Sequence, residues 1–413
     1  MVTPCSARLA PASRLIDLTR LVSRLGRGAL TGVDRVELAY LTHLAAAETP
    51  LFALVRSAVG HVLLDRDGAR MIARLATADV RLGPPDLLSR MFWRGDTLRA
   101  RAEATARRLA IARCPRPLLA RMLRRHLPPG SSYVNVGHAN LSARSLAAIR
   151  AAGLRVAVLV HDAIPLDYPQ FTRPGISQVF ARKMAAVATH ADLVIYSTAD
   201  ARTRAEAHFA RMGRVPPGVV AALGVPVPQP DAAAIPPGLD LARPYFVTLG
   251  TIEPRKNHAL LLDVWDGMQA DAPAAVPQLF IIGGRGWANE DVFGRLDALP
   301  PGSPVRELPG LPDGVVAALV QGAEALLFPS LAEGYGLPPV EAAALGVPVI
   351  AAPLAVTRET LGDYPVYLDP ADSYSWLETI NNWGQQGRAD RNRRASRAVP
   401  RWEDHFNRVL NLV

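Results

Sequence analysis

Short apolar runs, each followed by glycine, proline or a helix-period segment, recur along the whole chain. Residues 14–22 (RLIDLTRLV), 50–59, 60–65, 133–138 (YVNVGH), 154–162 (LRVAVLVHD) and 193–197 read as strands in the first half. In the second half the strand-like runs are 245–249, 279–284 (LFIIGG), 325–329, 347–351 and 366–369. Several are apolar almost without alternation, which suits parallel strands covered on both faces. Between them, residues 33–47 place Val33, Val36, Tyr40, Leu41 and Leu44 at helical spacing, with Thr31 positioned as the cap and Asp34 three residues on. Segments 171–190, 198–211, 258–268 and 314–323 repeat the helical pattern. Residues 93–126 differ: apolar positions such as Leu98, Leu109, Leu119 and Met122 are interleaved with ten arginines, against Asp96 and Glu103 alone. An arginine-flanked amphipathic helix of that kind can lie on an anionic membrane surface or dock on its own domain.

Strand–helix alternation on both sides of a proline-dense stretch, 215–240, predicts an α/β chain of two doubly wound, Rossmann-like domains facing a central cleft. The expected divisions are residues 1–225, a linker 226–243, a second domain 244–390 and a helical tail 391–413. At 413 residues the chain exceeds what one core ordinarily serves. No apolar run approaches the ~18 residues of a membrane span, and the N-terminal segment has arginines where a signal peptide would be uninterrupted. Cys5 and Cys114 are the two cysteines, too few for a disulfide framework or a cysteine metal cluster, and a reducing cytoplasm is expected, with peripheral membrane contact through residues 94–125. Charge is uneven. Residues 1–150 carry 24 Arg or Lys and 10 Asp or Glu, whereas the remainder is net acidic. An anionic partner for the first half follows, but no nucleic-acid reader motif accompanies the charge.

Chemistry concentrates at strand ends. Glu333 follows a strand, Gly334 and Gly336 punctuate a turn, and Pro338-Pro339 suit the first turn of a helix that carries Glu341. The amides of Gly336 and Leu337 at such a helix start form a ready anion site. Arg255 and Lys256 follow another strand, one a forked donor and the other a point charge, the pair a diphosphate needs. The chain holds two lysines, Lys183 and Lys256, so the second is conspicuous. His138 and the His161-Asp162 pair stand at the ends of strands in the first half, and Gly32 opens a helix.

Two of these runs carry a resemblance. Glu333-Gly-Tyr-Gly-Leu-Pro-Pro-Val-Glu341 resembles the Glu-x7-Glu signature of retaining GT-B glycosyltransferases of family 4, and Gly250-Thr-Ile-Glu-Pro-Arg-Lys-Asn257 resembles their Gly-Thr-x-x-x-Arg-Lys-Asn segment. HDAIPLDYP, from His161, is similar to the His-Asp-x-x-P run of bacterial mannosyltransferase-like members. The resemblance implies that Glu333 contacts the donor sugar and Glu341 the ribose. Arg255, Lys256, Gly336 and Leu337 would hold the donor diphosphate, with Gly32 beside it. The backbone around Leu311 would meet the nucleobase, His161 the transferred sugar and Asp162 the reacting hydroxyl, with His138 nearby. It implies transfer of a hexose, mannose above others, from GDP-mannose or a UDP-sugar to a glycan or lipid-linked acceptor, with no cofactor and no metal. A nucleotide-sugar epimerase or hydrolase of the same fold, and a non-catalytic membrane scaffold, are the rival classes.

Overall fold

The computed structural model describes residues 11–28, 30–77, 80–271, 276–386 and 396–413. Two sheets form. The first has eight strands in the order β4-β3-β2-β1-β5-β6-β7-β8. These are β1 (Arg14–Asp17), β2 (Leu51–Ser57), β3 (Gly60–Leu64), β4 (Ala112–Cys114), β5 (Ser132–Asn135), β6 (Arg155–Val160), β7 (Leu193–Tyr196) and β8 (Gly218–Val220). Pairing is parallel except where β3 meets β2 and β4. The second sheet has six parallel strands: β9 (Tyr245–Leu249), β10 (Gln278–Ile282), β11 (Val305–Leu308), β12 (Leu326–Phe328), β13 (Val349–Ala351) and β14 (Val366–Tyr367), in the order β11-β10-β9-β12-β13-β14.

Each sheet is covered on both faces, which is why its strands read as unbroken apolar runs. Ile16, Val134 and Leu159 enter one core of the first sheet, whereas Leu15, Tyr133 and Val158 enter the other. Phe246 and Leu279 against Val247 and Phe280 divide the second sheet the same way. The last helix, Trp402–Val409, lies on the first domain. Tyr40 meets the Trp402 and Phe406 rings edge-on, and the Tyr40 hydroxyl bonds His405 Nε2 at 2.6 Å. The Val225 N–H donates to the Pro400 carbonyl at 3.1 Å. Residues 391–395, which open the expected helical tail, lie outside the described residues.

Two expectations are corrected. The run 14–22 is not one strand: β1 stops at Asp17, whose carboxylate accepts the Thr19 N–H at 3.0 Å, and Thr19–Arg24 is a helix with Leu21 and Val22 buried. Nor is 93–126 one helix. It divides into the helix Thr97–Arg108, strand β4 and the helix Leu119–His126, with Pro115 and Pro117 between the last two. Many of its arginines are committed internally. Arg107 bonds Asp86 and Ser89, Arg99 pairs with Glu103, and Arg101, Arg108 and Arg124 donate to backbone carbonyls. Ile111 and Leu118 are its exposed large apolar side chains, and the preceding short helix adds Leu87, Leu88, Met91 and Phe92. No helix among the described residues is long and apolar enough to cross a membrane.

Candidate functional site

The cleft lies where the carboxyl ends of the two sheets face each other. On the second domain, β9 leads through Gly250 into a tight turn at Pro254–Lys256, closed by Asn257 in the left-handed region at φ 54°, before the helix His258–Asp271. That turn brings Arg255 and Lys256 beside the loop that follows β12, where Leu331 N–H donates to the Arg255 carbonyl at 2.7 Å. Glu333 sits between the two cations. Its Oε1 is 2.5 Å from Lys256 Nζ and its Oε2 is 2.7 Å from the Arg255 guanidinium. Arg255 also pairs with Glu253 at 2.6 Å and donates to the Ala332 carbonyl at 3.0 Å. The Lys256 ammonium lies 4.9 Å from the Phe328 ring centroid. Gly336 adopts φ 82°, a left-handed conformation that glycine takes without penalty, and its nearest neighbours include the same Phe328 ring. The helix Leu337–Ala344 starts there, so the Phe328 ring lies against both the Lys256 ammonium and this helix start.

Burial alone would raise the Glu333 carboxyl, but Arg255 and Lys256 outweigh it and leave it at about 2. Burial pulls the Lys256 ammonium below its ordinary value, opposed by Glu333. A carboxylate held that low keeps the cluster charged at neutral pH.

One helical turn on, burial raises Glu341 to about 7, with Arg35 opposing. Arg35 comes from the other domain: it reaches Glu341 at 3.3 Å and Asp313 at 2.6 Å. Gly32 opens the same helix, Gly32–Ala46, and a Cβ there would lie 3.3 Å from Leu337 Cδ1, so the two helix starts nearly touch. Gly32, Arg35, Leu311, Leu337 and Glu341 line one cavity of about 1370 Å³.

On the first domain, His138 follows β5 and His161 follows β6, with ring centroids 5.0 Å apart. His161 Nε2–H donates to the Val136 carbonyl at 2.7 Å and His138 Nε2–H to the Leu159 carbonyl at 2.9 Å. Burial lowers both, His161 to about 4, so both imidazoles are neutral near pH 7. Lys183 Nζ donates to the His138 carbonyl at 2.8 Å. Asp162 Oδ1 accepts the Ile164 N–H at 3.0 Å, and burial raises this carboxyl against the pull of Arg255. A Cβ on Gly334 would stand 2.9 Å from Asp162 Oδ2, so the two domains meet here at a spacing that a side chain would break.

The candidate residues therefore fall into connected groups. Glu333, Arg255 and Lys256 are in direct contact; Gly32, Leu311, Leu337 and Glu341 ring the large cavity; Asp162, Arg255 and Gly334 line a second cavity of about 400 Å³. His138 and His161 line neither. Arg35, Asp313 and Glu253 belong to these groups and were not singled out from the sequence. Arg35 had a usable signal, since it stands one turn after Gly32 on the same helix face.

Among known proteins, residues 234–400 match the family model described as glycosyl transferases group 1. The whole chain has the GT-B fold: it superposes on the Anabaena protein Alr3699/HepE, solved with UDP and glucose, over 90% of this chain and 89% of that one, with TM-score 0.59 and 16% identity. In sequence it is similar to the serotype-specific mannosyltransferase WbdA of Escherichia coli, 29% identical over 57% of this chain and 30% of that protein. The O-antigen chain mannosyltransferase B of Escherichia coli is 32% identical over 31% of this chain and 33% of that protein. The chain thus matches about a third of the length of these curated relatives.

Proposed function

We propose that this chain is a retaining glycosyltransferase of cell-surface polysaccharide assembly, moving a hexose, mannose above others, from a nucleotide-diphosphate sugar to a glycan or lipid-linked acceptor. The observation that carries this reading is the Arg255–Glu333–Lys256 cluster beside the helix start at Gly336 and Leu337. Without donor, Glu333 occupies both cations. A diphosphate takes their N–H donors, and Glu333 turns to hydroxyls of the donor sugar. Glu341 accepts the ribose hydroxyls in exchange for Arg35, and the base lies by Leu311 and Gly32 in the large cavity.

When the sugar departs, negative charge grows on the diphosphate, and Arg255, Lys256 and the helix amides meet it in a site already poor in water. His161 supplies a neutral ring whose Nδ1 accepts a hydroxyl of the transferred sugar, its Nε2–H being committed to Val136. Asp162 faces the acceptor hydroxyl. Because two side-chain cations balance the leaving group, turnover in EDTA is expected. The mannosyltransferase relatives support the choice of mannose, and the superposition on a protein solved with UDP and glucose supports a nucleotide-sugar donor.

A thermal-shift panel of GDP-mannose, UDP-glucose, UDP-N-acetylglucosamine and dTDP-rhamnose tests the reading. A ligand that binds the folded chain raises its melting temperature, by ~2.7 kcal/mol of added stability at a hundredfold excess over Kd. One donor should stand out. No shift with any of them, or release of free sugar from the preferred donor undiminished by every glycan acceptor, removes the transferase reading.

A further inference from the structure

The second cavity, about 400 Å³, takes its lining from both domains, more of it from the first, and lies apart from the groups around Glu341. Asp162, Phe171 and Arg173 come from the first domain, and Arg255, Trp287 and Gly334 from the second. Three features of it lie outside the Arg255–Glu333–Lys256 contacts and outside the cavity around Glu341. The Trp287 indole N–H donates to the Phe171 carbonyl at 3.1 Å, tying the two domains together beside the opening. The exposed Arg173 guanidinium lies 5.1 Å from the Trp287 ring centroid, and no carboxylate among the described residues pairs with it. Asp162 Oδ2 receives no hydrogen bond from the described residues, whereas Oδ1 is committed to Ile164.

Two aromatic rings, a guanidinium with unpaired donors and a carboxylate oxygen with unused acceptor capacity form a lining suited to a ligand with one apolar face and a rim of hydroxyls. Apolar walls with a few convergent polar groups are the usual composition of a small-molecule site, and 400 Å³ is within the usual range. A pyranose has that character: C–H groups on one face pack on an aromatic ring, and hydroxyls donate to carboxylate and accept from guanidinium. Resting on the reading above, we propose that this cavity is the acceptor subsite, that it takes the terminal sugars of a glycan, and that Trp287 and Arg173 position them against Asp162. The subsite is complete when Trp287 and Phe171 are in contact, so it exists in the closed arrangement of the domains.

The test separates this subsite from the donor site. GDP and UDP binding are followed by thermal shift, and a panel of α-linked disaccharides of mannose, rhamnose, glucose and N-acetylglucosamine by saturation-transfer NMR on the nucleotide-bound protein. In wild type at least one disaccharide should show transfer. W287A and R173A should abolish that signal or raise the acceptor KM tenfold or more, with nucleotide affinity and donor KM unchanged. W287F distinguishes a platform from a latch: it keeps the ring and loses the N–H, so it should retain most acceptor affinity. Nucleotide binding with no disaccharide signal overturns the subsite and leaves the donor reading intact. A W287A effect on donor KM equal to that on acceptor KM, or a W287F defect as large as that of W287A, also overturns it. Absence of nucleotide binding fails the donor reading itself.

Discussion

Across the cleft, Glu333 and the two histidines answer burial in opposite ways. On the second domain, Arg255, Lys256, Glu253 and Glu333 form one cluster, and Glu333 is held at about 2 by the cations despite its burial. On the first domain, burial without a matching counter-charge favours neutral forms. His138 and His161 are pushed down, while Asp17 and Glu37, both buried beneath the strand ends, are pushed up. A buried group stays charged where a partner offsets its lost hydration and otherwise neutralises. The contrast teaches what each wall is suited to meet: an ion on one side, hydroxyl-bearing neutral groups on the other.

The largest expected effect comes from breaking the charged side. Lys256→Ala removes a buried, charge-assisted donor, which at ~1.5–3 kcal/mol corresponds to roughly 10- to 100-fold in affinity. Isothermal titration with the preferred nucleotide should show that loss, and unchanged affinity would end the diphosphate assignment. Glu333→Gln should act the other way on binding. With the competing anion gone, the two cations are free for phosphate, so nucleotide affinity rises severalfold while turnover of the full donor falls. The unliganded variant should melt earlier, because its cations have lost a buried partner, and nucleotide should restore it. A drop in nucleotide affinity like that of K256A would mean that Glu333 is not the resident competitor.

The smallest effect concerns Glu341, raised to about 7 by burial and held back by Arg35. Its ionised fraction grows between pH 6 and 8, and ribose hydroxyls donate to the ionised form, so nucleotide affinity should rise a fewfold over that window. Arg35→Ala removes the opposing cation and should move the midpoint upward; Glu341→Gln should flatten the profile. For stability the sign is opposite. A carboxyl raised in the folded chain contributes below its unfolded value of 4.5, and that contribution is lost as pH rises through 7. An affinity profile that is identical in R35A and wild type would uncouple Arg35 from this carboxylate.

Much of the frame was legible in the chain because the relevant information is local. Glycine and proline around Glu333 to Glu341, and the strand before Arg255, announce their turns within a few residues. The burial of β5, β6, β9 and β12 on both faces is written in their unbroken apolar runs. What escaped depends on distant partners. Arg35 meets Glu341 across 306 positions, and Trp287 meets Phe171 across 116, so no window of sequence contains either contact. Residues 14–22 have the composition of a strand, yet Asp17 accepts the Thr19 N–H where a helix starts. The arginines of 93–126 looked like a surface stripe because their carbonyl and carboxylate partners, Leu82 to Asp86, lie outside that window.

The bond from Val225 to Pro400 has a mechanical corollary. The polypeptide passes between the lobes once on its way out and once on its way back, and at this point the outgoing and returning segments run side by side. A joint with one strand swivels freely; a joint with two pinned together folds chiefly about a single axis. The lobes should therefore open and shut like the covers of a book, returning Trp287 to Phe171 and Gly334 to Asp162 in the same register on every cycle.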